Sequence, residues 1–308
     1  MLSRVAENFF WMGRYVERAC NIARFLEVNY YLSLDLDKKY VQWAPMLQVT
    51  GDFNEYLQRN TNFEALSVMK FLILDKQYIN SAISAITLAR ENARGTRETI
   101  PVEFWEELNS LWKLLNQHTE REDVDSATIR QLCSEVKACG TFLQGICEDT
   151  MWHGESFQFY KMGLWLERAD KTSRFLHTKY FFLLPSLEDV GTILDDLHWT
   201  ALLQSLHGID IYHRNYGLIS PDKVINFLLM DEQFPRSVLF CLNHALGCLG
   251  AIQDSSLRTS SKSKLKDLVT HISAQNAPGI ISDGLHEFID DFQIRLNAVT
   301  EEIKLHFF

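Results

Sequence analysis

Apolar residues recur along this chain at intervals of three and four. Val5, Phe9, Met12, Val16, Ala19, Ala23 and Leu26 follow that spacing, which puts them on one face of an α-helix. Ser3 stands where an N-cap is expected. The same period predicts further helices over 41–59, 63–74, 81–97, 102–118, 126–146, 155–183, 189–215, 221–230, 236–253, 262–273 and 284–306. Turn chemistry separates them: Asn80-Ser81, Thr99-Ile100-Pro101 and Ala277-Pro278-Gly279 each precede a helical pattern. No stretch alternates apolar and polar residues long enough to make a strand. The fold class is all-α.

The pattern also repeats. Residues 12–26 read MGRYVERACNIARFL and residues 162–176 read MGLWLERADKTSRFL, identical at eight of fifteen positions, where roughly one match is expected from average composition. A second block recurs at an offset of 156. Trp43, Leu47, Gln48, Tyr56, Val68, Phe71, Leu72, Asp75, Gln77, Ser81 and Ala89 return as Trp199, Leu203, Gln204, Tyr212, Val224, Phe227, Leu228, Asp231, Gln233, Ser237 and Ala245. The longer offset comes from segment 177–198, six residues longer than 27–42, an insertion a loop absorbs at little entropic cost. The halves, 1–150 and 151–308, are therefore expected to be two repeats. With six prolines and fourteen glycines no long linker separates them, so one pseudo-symmetric helical bundle is expected.

Composition narrows the function classes. At 46% hydrophobic and 23% charged residues the chain can bury a sizeable core. A net charge of −10 argues against a nucleic-acid partner, which would call for a basic face. The most apolar run, Tyr180 to Leu184, is stopped by Pro185, so no membrane span is expected. Charges at Arg4, Glu7, Arg14, Glu17 and Arg18 break up any signal-peptide core. Six cysteines without a CxxC pair fit a reduced, cytoplasmic protein.

Candidate chemistry lies in what the two copies share. Beside apolar and small residues, the shared polar positions are Glu17/Glu167, Arg18/Arg168 and Arg24/Arg174. Gly13, Glu17 and Arg24 stack on one helix face, as do Gly163, Glu167 and Arg174. A mid-helix glycine costs on the order of 1 kcal/mol against alanine, so its presence in both copies points to a close approach by another helix or a ligand. Two readings stand. In one, the duplicated helices cross and Glu17 pairs with Arg168 while Glu167 pairs with Arg18, a buried ion-pair lock. In the other, the same groups line a pocket for an anion, with arginine chosen for its bidentate fork.

A second stripe, Arg90, Arg94 and Arg97, recurs at helical spacing with Glu91 and Glu98 beside it. It reads as a solvated face in which Arg94 can pair with Glu98, or as a further contact for a phosphate or carboxylate. No metal or cofactor is expected. A carboxylate-bridged bundle site needs Glu-x-x-His on two helices, and Asp195-x-x-His198, Asp210-x-x-His213 and Asp283-x-x-His286 are looser matches. Walker, dinucleotide and nucleophile-elbow motifs do not occur. Phe9, Phe10, Trp11, Tyr15, Trp43 and Trp199 read as core.

Several of these segments together resemble the alpha-E domain family, an all-helical bacterial family named for its Glu-Arg motif. They are Leu2 to Glu7 running into Gly13-Arg14-Tyr15-Val16-Glu17-Arg18-Ala19, Gly163 to Asp170, Phe71-Leu72 with Asp75, Ser81 with Ala89 to Arg94, and Phe227 to Asp231 leading to Phe234-Pro235-Arg236-Ser237. The resemblance covers almost the entire chain. It implies a setting, since such proteins are encoded beside, or fused to, circularly permuted ATP-grasp proteins, transglutaminase-like peptidases and proteasome-like hydrolases. The expectation is an accessory helical protein binding an ATP-grasp ligase, another of these partners, or an anionic peptide or small-molecule product. Its ligand contacts would be Arg18, Arg168, Arg24, Arg174, Arg90, Arg94 and Arg97. The rival is an enzyme of the same system with Glu17 and Glu167 as acid/base groups. Working acid/base pairs sit in unlike environments, whereas these motifs are near copies, which favours binding.

Overall fold

The computed structural model describes residues 2–35, 43–44, 47, 53–183, 192–252 and 258–308, with only the helical backbone at 178–183, 193–194 and 258–259. Among the described residues there is no strand, and fourteen helices form. The first half holds α1 (Ser3–Asp35), α2 (Phe53–Leu57), α3 (Ala65–Leu74), α4 (Ala82–Gly95), α5 (Val102–His118) and α6 (Ser126–Thr150). The second holds α7 (Glu155–Leu183), α8 (Ile193–Ser205), α9 (Ile209–Tyr216), α10 (Pro221–Leu229), α11 (Val238–Ala251), α12 (Arg258–Ser273), α13 (Ala277–Asp283) and α14 (Leu285–Phe307). No described helix is long and apolar enough to cross a membrane.

Two four-helix groups result. α1 packs on α4, α4 on α5, α5 on α6, and α6 returns to α1. In the same way α7 packs on α11, α11 on α12, α12 on α14, and α14 returns to α7. The groups meet along α1 and α7, the most extensive helix contact in the molecule, and share one continuous apolar core. Phe9, Phe10, Trp43 and Trp199 are buried in it. Trp11 and Tyr15 pack at its edge, where the Arg14 guanidinium lies over Trp11 and that of Arg18 over Tyr15.

The two central helices run side by side, in the same direction and in register. Phe25 stacks on Phe175 with ring centroids 4.5 Å apart, and further back each glycine lies on the other helix's backbone. A Cβ on Gly13 would run into the carbonyl oxygen of Tyr160 and crowd the Leu164 amide nitrogen at 3.1 Å. One on Gly163 would run into the carbonyl oxygen of Phe10. The approach that the paired glycines called for is thus helix against helix.

Local contacts also recur at the offset of 156. Asp75 Oδ1 accepts from the Gln77 and Tyr78 amides at 2.8 and 3.2 Å, and Asp231 Oδ1 accepts from Gln233 and Phe234, both at 2.8 Å. Ser81 donates to the Asp75 carbonyl, as Ser237 does to that of Asp231. Each serine then accepts from the third amide of its helix, Ser84 in α4 and Phe240 in α11, an N-cap of the usual kind. Tyr78 stacks on Phe71, and Phe234 on Phe227, both at 4.2 Å.

Several boundaries differ from the sequence expectation. The helix expected over 189–215 is broken between α8 and α9. His207 takes a left-handed φ of 54°, and Gly208 lies so close to the Phe227 and Phe234 rings that a Cβ there would sit 3.0 and 2.9 Å from them. Ala277-Pro278-Gly279, expected as the turn before the last helix, is itself the first turn of α13, capped by the Asn276 side chain accepting from Gly279, with proline in the tolerated first turn. Leu2, not Ser3, caps α1, since its carbonyl accepts from Val5 and Ala6. Of the helix expected over 41–59, Phe53–Leu57 is helical. Most of the rest lies outside the described residues, as do Gln48 and 184–191.

Gly13→Ala and Gly163→Ala are each expected to lower unfolding stability by about 1–3 kcal/mol, because the added methyl must force two backbones apart. Gly145→Ala, in α6 with nothing within 4 Å of its would-be Cβ, should instead gain about 1 kcal/mol from helix propensity. Urea unfolding of the three variants decides it; equal effects at all three sites would remove the close-approach account.

Candidate functional site

The shared glutamates meet the opposite helix's arginines at this crossing. Arg168 grips Glu17 with both prongs of its fork, Nε to Oε1 at 2.9 Å and Nη2 to Oε2 at 3.0 Å. Arg18 grips Glu167 in the same manner, at 2.7 and 3.1 Å. Both glutamates are fully buried. Taking carboxylates out of water costs several kcal/mol each, recovered only with near-ideal geometry and further hydrogen bonds. Both conditions are met, and the reciprocal ion-pair lock is what the crossing contains.

The helix-cap loops deliver the remaining partners. Asn80 immediately precedes the Ser81 cap and accepts from Arg18 Nη1 at 3.0 Å. At the matching place before Ser237, Arg236 donates to Glu17 Oε1 and to Asn21 Oδ1, each at 3.1 Å. The Pro235 carbonyl accepts from Arg168 at 3.3 Å. Asn21 donates to Glu17 at 3.0 Å from one turn along α1. On the other carboxylate, Arg14 donates to Glu167 Oε2 at 2.8 Å, and Lys171 stands 3.6 Å from Oε1 and 3.1 Å from Asp170.

The electrostatics follow from this crowding. Burial alone would raise the Glu17 carboxyl, but Arg168, Arg236 and Arg24 outweigh it and hold the group well below the usual carboxylate range. Glu167 is likewise depressed, with Arg18, Arg14 and Lys171 overcoming its burial. Asp170 falls to about 2, burial being outweighed by Lys171 and Arg174. All three stay ionised at neutral pH.

The surroundings of the two carboxylates are not equivalent. Around Glu167 the cations Arg14, Arg18, Lys171 and Arg174 face a second carboxylate, Asp170, which accepts from Arg174 Nε at 2.9 Å. Around Glu17 stand Arg168, Arg236 and Arg24, with Asn21 and Cys20 where the second copy has Lys171 and Asp170. Arg24 is only 4% exposed. Among the described residues its Nε has no hydrogen-bond partner, and its Nη1 makes a 3.3 Å bond to Asn21. Burial, then repulsion from Arg24 and Arg168, pushes Arg236 down to about 9. His207, exposed just beyond, is pushed down to about 4 by partial burial and by the charges of Arg24 and Arg236.

Arg18, Arg168, Arg24 and Arg174 therefore gather at one place. Arg90, Arg94 and Arg97 do not join them. Arg90 faces α5 instead, where its guanidinium sits 4.3 Å from the Trp112 ring centre and bonds Asn109 at 2.7 Å. Arg97 lies over Trp105, and Arg94 pairs with Glu91 at 2.8 Å rather than with Glu98. Indole faces and Glu91 supply what an anion would otherwise supply. Arg14, Asn21, Asn80, Asp170, Lys171 and Arg236 belong to the cluster but were not among the candidate site residues. A search for positions kept in both copies passes over them, because each differs from its counterpart. Their signal was adjacency: Asp170 and Lys171 follow the second motif directly, and Arg236 abuts a repeated helix cap.

A family model described as a predicted alpha-helical domain with a conserved ER motif, Alpha-E, matches residues 1–308. The chain belongs to the Alpha-E family. Among curated proteins, an uncharacterised protein of Mycobacterium bovis is 21% identical over 322 residues, covering 97% of this chain and 36% of its own length. An uncharacterised protein of Mycobacterium tuberculosis matches to the same extent. The chain thus spans about a third of the length of these relatives. No solved structure matches it. The Glu17-Arg18 and Glu167-Arg168 pairs fit the ER signature of the family description.

Removing either partner of a cross-pair strands a buried charge, so Glu17→Ala and Arg168→Ala should each cost about 3 kcal/mol or more. The double variant should cost much less than the sum. Acid should act through the same groups. The folded carboxyls are depressed below the roughly 4.3 of an unfolded glutamate, so their contribution is complete above that pH and is lost as pH falls through the folded values. Stability measured between pH 5 and 2 should therefore drop steeply, and less steeply in Glu17→Gln. Additive losses, or an unchanged acid slope, would count against the lock.

Proposed function

We propose that this chain is a helical accessory protein of an ATP-grasp-linked system that forms peptide or amide bonds, and that it binds the partner ligase or its anionic peptide product. It is built from two repeats, 1–150 and 151–308, and works in the cytoplasm, where its six buried free thiols stay reduced. The ATP-grasp setting, with transglutaminase-like or proteasome-like proteins as other partners, rests on the family resemblance. The mycobacterial relatives add support: in them the matching region is joined to a longer remainder of chain, the arrangement of a domain that serves another.

The observation that carries the binding reading is a charge imbalance. Three guanidiniums surround the single carboxylate of Glu17, and one of them, Arg24, keeps a buried donor with no partner among the described residues. A carboxylate or phosphate reaching Arg24 and Arg236 from the His207 side would supply the missing acceptor. The catalytic alternative needs a glutamate displaced upward toward neutrality. Both are displaced downward, which removes the proton such a group would deliver.

An unpaired buried charge destabilises the protein that carries it. Arg24→Met, which keeps the length of the apolar stem, is therefore expected to raise Tm in the absence of anions. The same change should abolish the Tm increase produced in the parent by ATP, citrate or a glutamate-rich peptide. Affinity capture of the full chain from its native cells tests the partner, with an ATP-grasp protein as the expected companion. Anion effects identical in parent and Arg24→Met, together with no such companion, would overturn the reading.

A further inference from the structure

One side-chain cluster lies outside the lock and serves no part of the proposed binding role. α14 packs against α7, and where they meet His177, one turn beyond Arg174 on α7, faces the first turn of α14. His177 Nε2 makes a short contact with His286 Nδ1, the two rings being 4.6 Å apart and tilted by 31°. One turn further along α14, Asp290 Oδ2 stands 3.6 Å from His286 Nε2. One nitrogen or oxygen from each of the three lies within 4.8 Å of the others.

We propose that His177, His286 and Asp290 form a binding site for a divalent transition-metal ion bridging α7 and α14. Two imidazole nitrogens with one carboxylate oxygen make a borderline donor set, suited to zinc, cobalt or nickel and poorly to calcium or magnesium. His286 and Asp290 are four apart and so share one helix face, while His177 comes from the other helix; a pair of ligands on one helix completed from a second is a sound metal-binding layout. Bonds of about 2.0–2.1 Å to a tetrahedral ion place ligand atoms about 3.4 Å from one another. The observed spacing of the three donor atoms, all within 4.8 Å of one another, is close to that figure.

The surroundings fit the same conclusion. Both histidines are half-buried. Arg174, one turn back on α7, is engaged by Asp170. Asp290 supplies a negative charge, and its side chain is 48% exposed. That leaves the solvent side of the ion for water or an exogenous ligand, the open arrangement of a three-ligand site. The sequence reading found no such site because His177 and His286 are 109 residues apart. The local spacing Asp283-x-x-His286 pointed to the wrong carboxylate.

The test uses the full chain, stripped with chelator and titrated with Zn²⁺ and Co²⁺, with Mg²⁺ as the control ion. One ion per chain is expected, with a rise in Tm on adding Zn²⁺ and a visible Co²⁺ absorption band characteristic of nitrogen and oxygen ligands. His177→Ala and Asp290→Asn should each weaken binding at least tenfold while leaving the helical circular dichroism of the metal-free protein unchanged. If His177→Ala does not fold, Asp290→Asn, altered on the solvent side, carries the comparison. Absence of binding to the folded parent, or equal affinity in parent and Asp290→Asn, would overturn the assignment.

Discussion

Two helix backbones in direct contact exclude water from everything that projects into their crossing. At Gly13 and Gly163 no side chain holds α1 and α7 apart, so the groups one turn further on are wholly desolvated. Glutamates placed there cannot remain ionised unless cations arrive with them. That requirement organises the centre of the molecule. It calls for Arg18 and Arg168 from the two helices themselves, for Arg14 and Asn21 from neighbouring turns, and for Asn80, Pro235 and Arg236 from the cap loops. Each cap loop is held by its own aspartate and serine, so the positions of Asn80 and Arg236 follow from helix-capping chemistry.

The cross-pairs also determine how the two four-helix groups dock. An apolar crossing of the same volume would be as stable or more so, since replacing buried ion pairs by hydrophobic side chains is often neutral or favourable. Apolar faces, however, tolerate sliding. Moving α1 by one turn, about 5.4 Å, would separate Glu17 from Arg168 and Glu167 from Arg18 at once, leaving two fully buried carboxylates without their cross-helix arginines. The stacked Phe25 and Phe175 rings would be lost in the same movement. A single register is therefore favoured far beyond what packing alone would give.

How much of this was legible depends on where the deciding partner lies. The helical class follows from periodicity, whereas the cross-pairing was one of two readings: helix geometry says that neither Glu-Arg pair can close on itself, but not whether its partner is the other pair or an anion. The break at His207 could not be read from periodicity, which continues through it; the cause is the pair of Phe227 and Phe234 rings against Gly208, supplied from later in the chain. The Arg90 stripe was open between two readings because the residues that answer it, Trp105, Trp112 and Asn109, belong to the following helix. Identity between residues 12–26 and 162–176 marks the lock and is silent on every position at which the two stretches differ.

Those differences are where function has room to enter. A symmetric lock with equal charges on both sides would be closed, its guanidiniums saturated by its own carboxylates. In the second copy Asp170 provides the extra negative charge that Arg174 and Lys171 need. In the first copy the same position is Cys20, whose thiol burial pushes up to about 11 and so keeps it neutral. Arg24 is left to Asn21, a neutral acceptor at 3.3 Å, while Arg236 adds a further cation where the first half has Asn80. The deficit is thus one-sided, with the exposed His207 beside it. A buried guanidinium without a counter-charge is costly to keep, and an incoming carboxylate or phosphate would remove that cost while leaving the Glu17–Arg168 and Glu167–Arg18 pairs intact. On the proposed binding role, recognition and architecture would share one cluster: the lock supplies a rigid, dry frame, and Arg24 would supply the affinity.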